Sequence, residues 1–134
     1  MRLTFPQQIA LALVVTLLAA VWFANANRTP VRELDPLAAS RVIADRGALV
    51  LDVRAKDAYD REHVANAISV PIGDLERRLG EFAPAKDRPV VVYCGDGRTG
   101  EDATRTMTER GYADAANVKG GLAAWKGAGL PVVK

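Results

Sequence analysis

The run Val90-Val91-Val92-Tyr93-Cys94-Gly95-Asp96-Gly97-Arg98-Thr99-Gly100 decides the architecture. Its first four residues are β-branched or aromatic and show no polar alternation, the pattern of a strand covered on both faces. The glycines that follow make a turn, and Glu101 to Arg110 then reads as a helix stopped at Gly111. Outward from this unit, Ala48-Leu49-Val50-Leu51-Asp52-Val53 is a second apolar strand, ending in a carboxylate. Ile68-Ser69-Val70-Pro71 is a short third strand, and Asp74 to Phe82 a helix with Leu75, Leu79 and Phe82 on one face. Asp35-Pro36 opens an earlier helix, with Ala38 and Val42, then Ala39 and Ile43, four apart and Gly47 as its stop. Ala115 to Val118 is another short strand and Gly121 to Lys126 a last helix, while Asn27 to Glu33 reads as a polar linker. Strands alternating with helices at this spacing predict an α/β fold, a parallel sheet with helices on both faces, over residues 34–133.

Composition narrows the function classes. The chain has 134 residues, 49% of them apolar and 25% charged, enough for one domain with a core and too few for two of ordinary size. The 18 basic residues are interspersed with 16 acidic ones, for a net charge of +2, and form no stripe that would track a nucleic acid. A single cysteine, Cys94, excludes an intramolecular disulfide, a CxxC redox pair and a thiolate zinc cluster. With His63 the only histidine, no bound transition metal is expected, and no cofactor.

Residues 1–28 stand apart. Arg2 and the amino terminus give a positive start, Ile9 to Ala24 carries no charge, and Ala24-Asn25-Ala26 has the small-x-small form of a signal-peptidase site. This segment is expected to be a signal peptide cleaved after Ala26. The alternative is a retained membrane anchor reaching back to Phe5, with Trp22 and Phe23 at the interface and membrane contact through residues 5–24. Either way the domain is exported to the cell envelope.

The chemistry converges on Cys94. A buried strand delivers it to the carboxyl edge of the sheet, where α/β folds place ligands. Gly95, Gly97 and Gly100 let successive N–H groups turn toward the sulfur, and the next helix points its positive end at the same place. Those donors favour a thiolate, the form that attacks sulfur, and would equally stabilise an anionic persulfide. Arg98 adds a cation suited to an oxyanion. The candidate site is therefore Cys94 as nucleophile with the loop Gly95, Asp96, Gly97, Arg98 and Thr99 around it.

These residues carry a resemblance. Leu51-Asp52-Val53-Arg54, Tyr59, His63-Val64, Ala67 and Val70-Pro71 resemble the first signature of the rhodanese family. Tyr93-Cys94 with the loop to Thr99 is similar to its active-site loop, and Gly120-Gly121 through Trp125 to Gly129-Leu130-Pro131 to its C-terminal signature. Glu62-His63-Val64 and the ending Gly97-Arg98-Thr99-Gly100 look most like the small periplasmic rhodaneses of the phage-shock-protein E type. The resemblance implies a sheet of about five parallel strands and a sulfurtransferase. Sulfane sulfur would pass from thiosulfate or a related donor to cyanide or a thiol through a Cys94 persulfide. Gly95 and Asp96 depart from the basic residues that many thiosulfate sulfurtransferases carry after the cysteine. Ala58 stands where some have Arg, and Glu62 where many have Gly.

Other readings accompany this one. Cys94 can be a small buried hydrophobe, and Arg98 an anchor for its own loop. His63 is expected to support a turn, and Tyr59 and Trp125 to pack. Asp52 and Arg54 either line the pocket or form internal ion pairs, Arg54 with Asp57, Asp60 or Glu62. A non-catalytic docking module at the membrane is a second function class. An oxyanion phosphatase or arsenate reductase is a third, but its C-x5-R loop would need Arg at 100, where this chain has Gly100.

Overall fold

The computed structural model describes residues 1–134. The chain runs through α1 (Phe5–Ala26), β1 (Glu33–Leu34), α2 (Pro36–Arg46), β2 (Leu49–Asp52), α3 (Lys56–Arg61) and β3 (Ile68–Ser69). A 3-10 turn (Ile72–Asp74), α4 (Leu75–Phe82), β4 (Val90–Tyr93), α5 (Arg98–Glu109), β5 (Ala115–Val118) and α6 (Gly121–Gly127) complete it. The five strands form one sheet in the order β1-β5-β4-β2-β3, and all pairings are parallel. Parallel neighbours require crossovers, and these are supplied by the helices.

Strand alternation divides the core in two. Leu49, Leu51, Val90, Val92 and Cys94 pack with Leu75, Leu79, Ala103 and Met107 from α4 and α5. Val50, Val91, Tyr93 and Val118 pack on the other face with Ala39, Leu122 and Trp125 from α2 and α6. Both faces of β2 and β4 are buried, which is why their sequences lack polar alternation. The period of two also sends Tyr93 to one side of the sheet and its neighbour Cys94 to the other.

Helix α2 forms where its signals lie. The Asp35 carboxylate accepts the Ala38 N–H at 2.8 Å, Pro36 occupies the first turn, and Gly47 ends the helix at φ +60°. Three elements depart from the sequence-based expectation. The linker's last residue, Glu33, belongs to β1, which pairs Glu33 with Asn117 and Leu34 with Val118 at the sheet edge. Helix α3 had no counterpart. Helix α5 begins at Arg98, three residues before Glu101, because Gly97 at φ +99° turns the chain straight into the helix. Helix α1 spans 22 residues, with a mean hydropathy of 2.3 over its most apolar 18 residues and no buried residue, long and apolar enough by those measures to cross a membrane.

Candidate active site

Strand β4 ends at Tyr93 and places Cys94 in the floor of the following turn, 2% exposed. Gly95 and Asp96 form the outer, exposed part of that turn, and Gly97 folds back into a buried position. The Gly97 N–H donates to Cys94 Sγ at 2.9 Å. Arg98 and Thr99 are the first residues of α5, so the positive end of that helix starts one residue from the donor. Arg98 is exposed and Thr99 half-buried. The Arg98 side chain takes part in none of the ion pairs or hydrogen bonds of the structure, so it does not anchor the loop. The five loop residues expected around Cys94 are thus brought together. An anion on Sγ would meet a backbone donor and a helix N-terminus, with one exposed cation on the same turn.

Asp96 has an organising contact. Its Oδ1 accepts the Arg98 N–H at 3.1 Å and lies 3.7 Å from Cys94 Sγ, within reach of the thiol proton. The Arg98 N–H holds the Asp96 carboxyl below the usual carboxylate range, and the thiol contact and the Arg98 charge act in the same direction against desolvation.

The turn is held from behind by residues that sequence reasoning did not assign to the site. Leu122 N–H donates to the Cys94 carbonyl at 2.8 Å, and Ala123 N–H to the Gly95 carbonyl at 3.2 Å. These are free donors of the first turn of α6. The approach needs Gly121, at φ +62°, where a Cβ would lie 2.5 Å from the Cys94 carbonyl oxygen. Asn117, fully buried on β5, donates from Nδ2 to the Gly97 carbonyl at 3.1 Å and to Glu33 Oε1 at 3.4 Å. Its Oδ1 has no partner and occupies the space a side chain at Gly100 would need. Gly120-Gly121 was legible as a signature; Asn117 was not, although a polar residue inside the apolar run Ala115 to Val118 was a signal.

Beneath the opposite face lies a closed polar cluster. Arg54 pairs with Asp52 itself, through contacts of 2.7 to 3.2 Å, and not with Asp57, Asp60 or Glu62. Two residues apart at the strand end, they meet because the Asp52 carboxylate also caps the Arg54 N–H at 3.0 Å. The Arg54 guanidinium reaches the Glu62 backbone carbonyl at 2.6 Å, while the Glu62 carboxylate pairs with Lys126. The Tyr93 hydroxyl donates to Asp52 at 2.7 Å and accepts the Val64 N–H at 3.1 Å. Burial, reinforced by that bond to Asp52, pushes the Tyr93 hydroxyl well above its ordinary phenol range. This network is satisfied internally and does not line the Cys94 turn. His63 likewise is structural: it stacks on Tyr59 at 3.8 Å and bridges to Val133. Tyr59 and Trp125 end on backbone carbonyls of Ala67 and Pro131, as packing residues do.

Comparison with known proteins agrees with this architecture. The sequence pattern of the Rhodanese-like domain matches residues 35–128. Thiosulfate sulfurtransferase GlpE of Coxiella burnetii is 30% identical over 71% of this chain and 87% of its own. Thiosulfate sulfurtransferase PspE of Escherichia coli is 37% identical over 63% of this chain and 77% of its own. Among solved structures, a rhodanese-related protein from Thermoplasma volcanium superposes with a TM-score of 0.69 at 26% identity, covering 76% of this chain and 97% of that one. The parallel five-stranded sheet, the match over most of the chain and the sulfurtransferase relatives lead to one conclusion: the chain belongs to the rhodanese family, whose shared chemistry here is sulfur transfer.

Proposed function

We propose that the protein moves a sulfane sulfur from thiosulfate, or a related donor, to cyanide or a thiol acceptor, with Cys94 as the covalent carrier. The Cys94 thiolate attacks the outer sulfur of thiosulfate. The donor S–S bond breaks, and sulfite leaves with its electron pair. The enzyme-bound persulfide then gives its terminal sulfur to cyanide as thiocyanate, and the thiolate returns. The single observation that carries this reading is the Gly97 N–H on Cys94 Sγ at 2.9 Å, at the head of α5. It supplies a donor to an anionic sulfur in both half-reactions. Gly95, Asp96, Gly97, Arg98 and Thr99 form the binding loop, and Arg98 meets the oxyanion end of the donor. The names of GlpE and PspE support thiosulfate as substrate.

Residues 1–28 act as the export leader, and residues 34–133 as the catalytic domain in the periplasm. The apolar, unburied α1 supports this. Any membrane contact runs through residues 5–24.

The test is intact-mass spectrometry after incubation with thiosulfate. The protein should gain one sulfur atom, on Cys94, and lose it when cyanide is added. Cys94→Ser should keep the fold and lose the transfer. Sulfur transfer retained in that variant would overturn the mechanism.

A further inference from the structure

We propose that Asn117 is a positioning residue for the sulfur-binding turn, its buried amide clamping the Gly97 carbonyl so that the N–H of the same residue stays on Cys94 Sγ. This rests on the sulfur-carrier reading of Cys94.

Gly97 is the weak point of the turn. It is the residue type with the most backbone freedom, and it sits at φ +99°, yet it supplies the donor to the sulfur. Two bonds fix its other end: Asn117 Nδ2 at 3.1 Å and the Glu101 N–H at 3.1 Å both reach its carbonyl. Across a trans peptide the carbonyl and the next N–H point in opposite directions. Holding the Gly97 carbonyl therefore also aims the Arg98 N–H at Asp96 Oδ1, 3.1 Å away. One side chain thus steadies both contacts that shape the turn.

The rest of the Asn117 environment indicates that the amide is kept for its donor. Asn117 is wholly buried, and its Oδ1 is left without a partner. Turning the amide over would give no relief, because it would set that oxygen against the Gly97 carbonyl and the Glu33 carboxylate. An apolar residue of the same shape would avoid the orphaned acceptor. Gly100 has no side chain where Asn117 Oδ1 lies, so the sequence at α5 accommodates this residue.

The experiment compares the full chain with Asn117→Leu, which fills a similar volume without a donor. Three readouts are taken: thermal melting, the pH dependence of Cys94 alkylation by iodoacetamide, and kcat and KM with thiosulfate and cyanide. Melting should be unchanged or higher. The alkylation midpoint should rise by on the order of one pH unit, and kcat should fall about tenfold with KM nearly constant. A folded Asn117→Leu with the wild-type alkylation midpoint and kcat would show that Asn117 only packs. If Asn117→Leu does not fold, Asn117→Ala removes the same donor, leaves the space open, and is judged by the same two outcomes. Wild-type protein that never gains sulfur would remove the carrier reading alone, while a shifted alkylation midpoint would still support the clamp.

Discussion

Asp96 and Arg98 flank Gly97 and carry opposite charges, but only one of them is tied down. The Asp96 carboxylate is bonded to the Arg98 N–H and faces the sulfur, whereas the Arg98 guanidinium is exposed and unpaired. Asp96 therefore has two separable effects, shaping the turn through an acceptor and opposing an anionic donor through its charge. Asp96→Asn keeps an acceptor oxygen and removes the charge, so thiosulfate turnover should rise severalfold at low ionic strength. The gain should shrink as salt screens the interaction. Asp96→Ala removes both and should slow the enzyme. Arg98→Ala should weaken thiosulfate use by about tenfold, the loss of one charge-assisted hydrogen bond. Steady-state kinetics of the three variants across ionic strength check this. If Asp96→Asn is as slow as Asp96→Ala, the ionised carboxylate itself organises the turn and the preferred donor is uncharged.

At the scale of elements, the turn is shaped as much by its backing as by its own residues. Helix α6 is anchored to the Cys94 and Gly95 carbonyls through Gly121, and the closeness of that contact leaves no room for a Cβ. Gly121→Ala should destabilise the fold by about 1–3 kcal/mol, from the left-handed backbone and the collision together. At roughly 4–8 °C per kcal/mol that is readily seen in a melting curve, and persulfide loading should fall with it. Gly127→Ala is the control. It lies in the same helix with nothing within 4 Å of an added Cβ and should lower neither readout. Equal behaviour of the two variants would remove α6 from the account. The same elements show what sequence can and cannot reveal. Helix α2 was legible because Asp35, Pro36 and Gly47 act within their own turns. The strands β2 and β4 were legible because burial on both faces leaves them wholly apolar. Strand β1 was not, because its two residues become a strand only by pairing with β5, a partner more than eighty residues away. The start of α5 was misplaced because Gly97, Gly100 and their neighbours look like loop until Asn117 and the sulfur give them partners. Cys94 and its loop were legible as a motif, whereas the Asn117 amide and the Asp52–Arg54 pairing arise only in three dimensions.

For the whole molecule the question is where the folded unit begins. Neither half of the core contains a residue of α1, so the sheet owes that helix no buried surface. The segment between α1 and β1 is different, for it is bonded to the domain. Thr29 reaches Glu109 at 3.0 Å, the Arg105 guanidinium donates to the Thr29 carbonyl at 3.2 Å, and Arg32 pairs with Asp114 at 2.8 Å. Cleavage after Ala26 would remove the apolar helix and keep all three contacts. Release at that bond should therefore leave the stability of the domain intact. The expected outcome is a mature chain beginning at Asn27, recovered without detergent from the periplasmic fraction, with the melting temperature and persulfide loading of the uncleaved chain. Intact-mass analysis of the fractionated envelope checks the terminus, and melting of the two forms checks the energetics. Full-length protein recovered only in detergent would make α1 a retained anchor. It would hold Cys94 near the membrane surface through the short bonded segment between α1 and β1.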